Sequence, residues 1–83
     1  MSKCKIQLNL ISDINEFIQG CQYYTGEIEI TQGRQVVNAK STLGVYSLDL
    51  SQLIDVHIHT DRTDVAEDFY KFLAKWEVKS IDD

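Results

Sequence analysis

The residues able to do chemistry in this 83-residue chain are few, and each also has a plain structural use. Ser41 stands where an alternating run ends and a helical spacing begins. Its hydroxyl is suited to cap the helix that follows. His57 and His59 are the only histidines and lie two apart, so on a strand they share a face. There they could chelate a metal or accept phosphate, with Asp55 as a further carboxylate. A metal site normally uses more ligands, and no cysteine or third histidine sits at a supporting spacing. The pattern therefore reads as two solvated side chains, with no metal expected. Cys4 and Cys21 are too few for a disulfide framework and fall on apolar faces, as buried reduced thiols would. No Ser-His-Asp or Cys-His set, glycine-rich phosphate loop or pair of catalytic carboxylates is present. The expectation is a protein without catalytic residues or cofactor, hence not an enzyme.

The elements that must position these groups follow from periodicity. Cys4, Ile6, Leu8 and Leu10 alternate with Lys5, Gln7 and Asn9, which predicts a strand. Ser12 or Asp13 offers an N-cap, with Asp13 and Glu16 at capping-box spacing. Ile14, Phe17, Ile18 and Cys21 then give a helix one apolar face. Gly20 weakens that helix and Gly26 is placed to end it. Tyr23 and Tyr24 close it, and only one of them can face inward.

Ile28 and Ile30 mark a second strand, and a turn centred on Gly33 leads to a third carrying Val37 and Ala39. From Thr42 to Leu48 the spacing is helical, with Val45 and Leu48 on one side and Leu43 and Tyr46 on the other. Ile54, Val56 and Ile58 alternate with Asp55, His57 and His59 in a fourth strand. A last helix opens near Asp61 or Thr63 and carries Val65, Phe69, Phe72, Leu73 and Trp76 on one face. Its first turn holds Asp64, Glu67 and Asp68, as the helix dipole favours. The order is β-α-β-β-α-β-α. It predicts an α+β open-faced sandwich, a four-stranded antiparallel sheet with three helices on one face.

A 43% hydrophobic content over this length suits one small domain spanning residues 1–83. The net charge of −5 comes entirely from the second half, since residues 43–83 hold four Lys or Arg against nine Asp or Glu. An acidic chain without a basic stripe does not suit direct nucleic-acid binding. Met1–Lys5 lacks the apolar run of a signal peptide, and no segment is long enough to insert in a membrane. A cytoplasmic protein is expected.

The run N-A-K-S-T-L-G-V-Y-S-L, Asn38 to Leu48, resembles a segment of HPr, the histidine-containing phosphocarrier protein of the bacterial sugar phosphotransferase system (PTS). The element order also looks like that of HPr proteins. In Gram-positive members a serine heading this short helix is phosphorylated by a dedicated kinase, and Ser41 takes the matching position. The resemblance implies a partner surface of Lys40, Leu43, Tyr46 and Ser47, with Lys40 a counter-charge for the phosphate. The partners it implies are HPr kinase, phosphotransferase enzymes and a catabolite-control regulator.

The family's phosphocarrier histidine, which heads the first helix in a motif like G-[LI]-H-A-R-P-A, has no counterpart. The junction here reads N-L-I-S-D-I-N-E-F, and Asn9 to Phe17 contains no His, Arg or Pro. The connecting loop is several residues shorter than the family's. Without an imidazole there is no nucleophile for phosphoenolpyruvate-derived phosphate at that helix end, and Asp13 and Glu16 would repel it. The chain thus resembles a degenerate, regulatory HPr: an adaptor acting through Ser41, Leu43 and Tyr46. The alternatives are an unorthodox carrier using His57 or His59, and an HPr-fold domain recruited for an unrelated interaction.

Overall fold

The computed structural model describes residues 3–78. Its elements are β1 (Cys4–Ile6), α1 (Ile11–Cys21), β2 (Glu27–Gln32), β3 (Gln35–Asn38), α2 (Thr42–Tyr46), β4 (Ile54–His59) and α3 (Thr63–Leu73), with a 3₁₀ turn at Ala74–Trp76. The strands form one antiparallel sheet in the order β1-β4-β2-β3. Element order, sheet and one-sided helical cover are those the periodicity predicts.

Alternation sets the two faces of the sheet. In β4, Ile54, Val56 and Ile58 are buried, while Asp55 and His57 are partly exposed and His59 is exposed. The neighbours are in phase: Val56 lies opposite Cys4 of β1 and opposite Ile30 of β2. Helices cover the apolar face with Ile14, Phe17, Ile18 and Cys21 of α1, Val45 of α2, and Phe69 and Leu73 of α3. Trp76 closes the core, meeting Phe17 edge-on at 6.1 Å and Phe72 at 5.3 Å between ring centres. Both cysteines are buried free thiols. Burial pushes the Cys4 thiol up to about 11 and the Cys21 thiol to about 12, so neither is a reactive thiolate at neutral pH. Tyr24 is the tyrosine that turns inward, against Phe69, while Tyr23 is exposed.

Several element ends differ from expectation. The first strand stops at Ile6 rather than running to Leu10; Leu8 is still buried, but Leu10 is 61% exposed. Helix α1 begins at Ile11 with Leu10 as N-cap, so neither Ser12 nor Asp13 caps it, and no side chain satisfies that end. Both fall inside the first turn because the inward phase of Ile14, Phe17 and Ile18 allows one more turn before them. The same helix ends at Cys21, and Gln22 keeps right-handed geometry. Gly26 instead turns the chain into β2 with φ +99°, where a Cβ would come within 2.7 Å of the His59 carbonyl oxygen. Helix α2 ends at Tyr46 rather than Leu48. In α3 the regular helix stops at Leu73, so Trp76 reaches the core from the 3₁₀ turn, and only Asp64 lies in the first turn. The hairpin between β2 and β3 turns on Gly33 (φ +59°) and Arg34, a glycine-first two-residue turn.

Gly20 has a use that propensity hides. A Cβ there would stand 2.1 Å from the Phe72 ring, so the missing side chain is what lets α3 close on α1.

Gly20→Ala should therefore destabilise the protein by about 1–3 kcal/mol through overpacking, despite alanine's better helix propensity. Phe69→Ala and Trp76→Ala should each cost about 3–5 kcal/mol. Urea denaturation checks all three. A Gly20→Ala variant as stable as the parent would show that Phe72 does not depend on that space.

Candidate functional site

Ser41 sits with φ −98° and ψ 114°, extended backbone suited to an N-cap, and its Oγ accepts the Gly44 N–H at 3.1 Å. The backbone before it is held by Asn38, whose carbonyl accepts the Ser41 N–H and whose side-chain oxygen accepts the Lys40 N–H. The far end of α2 is closed by Ser47, whose hydroxyl donates to the Gly44 carbonyl at 2.6 Å. This helix is too short to hold itself. Buried Val45 and Leu48 fix its inner side, and this turns Leu43 and Tyr46 outward, 85% and 43% exposed.

Lys40 does not face Ser41. Its ammonium donates to the Tyr24 carbonyl at 2.5 Å, and its own carbonyl accepts the Gln22 side-chain amide at 3.0 Å. Both bonds tie the β3–α2 connection to the segment after α1. The expected counter-charge is thus engaged in the fold.

The structure adds residues that the periodicity did not bring to this helix. Tyr46 donates its hydroxyl to Asn15 Oδ1 at 3.0 Å, linking α2 to α1. Ile11 lies one turn before Asn15 on the same helical face and is 71% exposed. Leu10 precedes it at the uncapped helix end. Leu10 and Ile11 at the start of α1 and Leu43 and Tyr46 of α2 are all exposed apolar residues, on two helices linked by the Tyr46–Asn15 hydrogen bond. The clue in the sequence was Leu10–Ile11 next to a helix start; strand alternation assigned Leu10 to the core.

At the start of α1, nothing present suits phosphate. Asp13 lies in the first turn and Glu16 is ion-paired with Lys75.

His57 and His59 share the sheet face away from the core, their ring centres 4.4 Å apart. His59 Nε2 and Glu29 Oε1 are 2.9 Å apart, and Asp55 is paired with Lys5 at 3.1 Å. Burial, then the neighbouring His59 charge, holds the His57 imidazolium below its usual range. Among the described residues no three His, Cys, Asp or Glu side chains stand together as a metal site, and no helix is long and apolar enough to cross a membrane. A groove between β4 and α3 has Arg62, Ala66 and Tyr70 in its lining. Two of its polar groups act within the fold, with Arg62 on Asp64 and the Tyr70 hydroxyl accepting the Ile58 N–H.

No protein-family model and no curated protein sequence matches the chain. The crystal structure of HPr-C-His from Thermoanaerobacter tengcongensis is similar, with a TM-score of 0.71 over 90% of this chain and 93% of that one. Sequence identity is 19%, so the likeness is one of fold. The fold is HPr-like.

Two outcomes follow. Ser41→Ala should cost about 0.5–2 kcal/mol by loss of the cap, with the overall spectrum of a folded protein retained. Because His57 has a lowered folded-state pKa, the unfolded chain takes up its proton first as pH falls through about 6.5. Stability should therefore drop below that pH, and His57→Gln should flatten the drop in melting temperature between about pH 7 and 5. An unchanged pH slope would remove His57 from that role.

Proposed function

We propose that this chain is a non-enzymatic HPr-type regulatory or adaptor protein that acts through protein contacts and is switched by phosphorylation of Ser41. The observation that carries the reading is a capping serine beside an exposed apolar surface of two adjoining helices, on an HPr-like fold whose α1 start has no histidine. The surface comprises Leu43, Tyr46 and Ser47, extended by Leu10 and Ile11, with Lys40 bracing it from behind. Its proposed partners are an HPr kinase, phosphotransferase enzymes and a catabolite-control regulator, met in the cytoplasm.

A phosphate on Ser41 adds roughly −1.5 to −2 charge and three strong acceptor oxygens. These meet the unpaired N–H groups of the first turn of α2, so the modification is compatible with the helix. Lys40 is already bonded to Tyr24, so the new charge is left largely uncompensated beside Leu43 and Tyr46. Phosphorylation then changes which partners the apolar surface accepts, without refolding the domain.

The test is treatment with an HPr kinase and ATP, followed by mass spectrometry. Label on Ser41 that is lost in Ser41→Ala supports the reading; no label with a competent kinase reduces Ser41 to a helix cap. Leu43→Ser should leave the melting curve unchanged and weaken kinase binding roughly tenfold, as loss of an interface anchor does. Incubation with phosphoenolpyruvate and the upstream phosphotransferase enzyme should leave no acid-labile phosphohistidine. Label on His57 or His59 would instead establish a carrier.

A further inference from the structure

We infer that two copies of this chain pair edge to edge through β3, with Val36 opposite Val36 about a two-fold axis. The inference rests on backbone hydrogen bonding and is independent of the reading of Ser41. The sheet has two edge strands, β1 and β3. The β1 edge is covered by the chain after α3. There the Gln7 N–H donates to the Trp76 carbonyl at 3.0 Å, the Val78 N–H donates to the Lys5 carbonyl at 2.9 Å, and Glu77 bridges Ile6. Among the described residues nothing covers β3 in that way. Its two-residue turn makes Gln32 and Gln35 a hydrogen-bonded pair, and the antiparallel alternation runs on from there. Val37 therefore bonds Ile30, and in the same phase the Ala39 N–H reaches the Ile28 carbonyl at 2.9 Å. Val36 falls between these bonds and turns both its N–H and its C=O away from β2. Asn38 turns the same way, but its carbonyl already accepts the Ser41 N–H. Val36 is 58% exposed, so the open groups face solvent.

The open groups define what fits them. A donor and an acceptor on one extended residue are completed by another strand. A second copy related by a two-fold axis at Val36 supplies both at once, N–H to C=O in each direction. Charge selects that register. With Val36 as its own partner, Arg34 lies opposite Asn38 of the second copy. A register centred on Val37 would set Arg34 against Lys40, and the Val37 backbone groups are already spent on β2. The edge also lacks the usual safeguards against pairing: residues 35–39 carry no charge, the chain has no proline, and β3 runs along β2 without a bulge. No Asp or Glu lies between residues 30 and 48, so pairing along β3 sets no two carboxylates opposite each other despite the net charge of −5. On the face away from the core Val36 meets its twin, a β-branched pair that suits a sheet. The strand is four residues long. A contact of that length stays below the roughly 1,200 Å² of a stable interface, so the dimer is weak, with a Kd on the order of 0.1–1 mM.

The test is sedimentation equilibrium and amide NMR of the chain between about 0.02 and 2 mM, a range that brackets so weak a contact. Rising concentration should give a monomer–dimer equilibrium, with shifts centred on residues 34–38 and slower hydrogen exchange at the Val36 amide. Val36→Lys sets two cations face to face, and Val36→Pro removes only the outward N–H while keeping every bond to β2. Each should weaken dimerisation by at least roughly tenfold, and the lysine variant should melt like the parent. Val36→Cys should give a disulfide-linked dimer on mild oxidation, because residues so paired stand about 5.5 Å apart between Cα atoms. A chain that stays monomeric throughout, shifts centred away from β3, a Val36→Lys variant that associates as well as the parent, or a Val36→Cys variant that does not cross-link would overturn the pairing. A monomer whose β3 amides move only on adding an unrelated extended peptide, such as a Thr-Val repeat, would give the edge to a foreign strand and overturn it equally.

Discussion

Strand β4 is the constraint on which the molecule depends. It pairs with β1 on one side and β2 on the other, so its phase decides the phase of the sheet. With Ile54, Val56 and Ile58 inward, the core receives its central row and the polar set Asp55, His57 and His59 faces away. A slip of one residue would bury two histidines and a carboxylate and expose three branched apolar side chains, so the register is strongly specified. Both outer features follow from it: the helices have one face to cover, and the histidines have one face to share.

Where the chain repeats a pattern over several residues, the fold was legible. The alternations of β2 and β4 and the apolar face of α1 reappear as predicted, because each buries a continuous row. Ends were less legible. Leu10 continues the alternation of β1 in the sequence, yet β1 is only three residues long. Its partner β4 meets it no further than Ile6 opposite Ile54. Ser12 and Asp13 are good caps by type, but the helix starts before them, since placing Ile14 and Phe17 inward outweighs one cap hydrogen bond. Ser41 capped as expected because Val45, three residues beyond its first helical position, fixes α2 with no competing start.

The candidate surface was half legible for a similar reason. Leu43 and Tyr46 could be assigned outward once Val45 and Leu48 were assigned inward. That α1, with its exposed Leu10 and Ile11 end, is linked to α2 emerged only in three dimensions, through the contact of Tyr46 with Asn15. The orientation of Lys40 was equally invisible, since adjacency in sequence to Ser41 says nothing about which carbonyl the long side chain reaches. Glu29 became a neighbour of His57 only through strand pairing. In each case the missing information was a contact between residues far apart in the chain, and such contacts leave no local pattern.

The two surfaces differ in what holds them, and this bears on how each can act. Leu43 and Tyr46 ride on a five-residue helix held by the Ser41 cap, two buried apolar residues and one hydrogen bond to α1. Few contacts support it, so a charge added at its cap acts on a lightly held element. The histidines ride on one of the two central strands of the sheet, whose backbone cannot move without disturbing β1 and β2 together. A surface on α2 can therefore respond to a modification by changing its local shape or charge. A surface on β4 can respond only through its side chains.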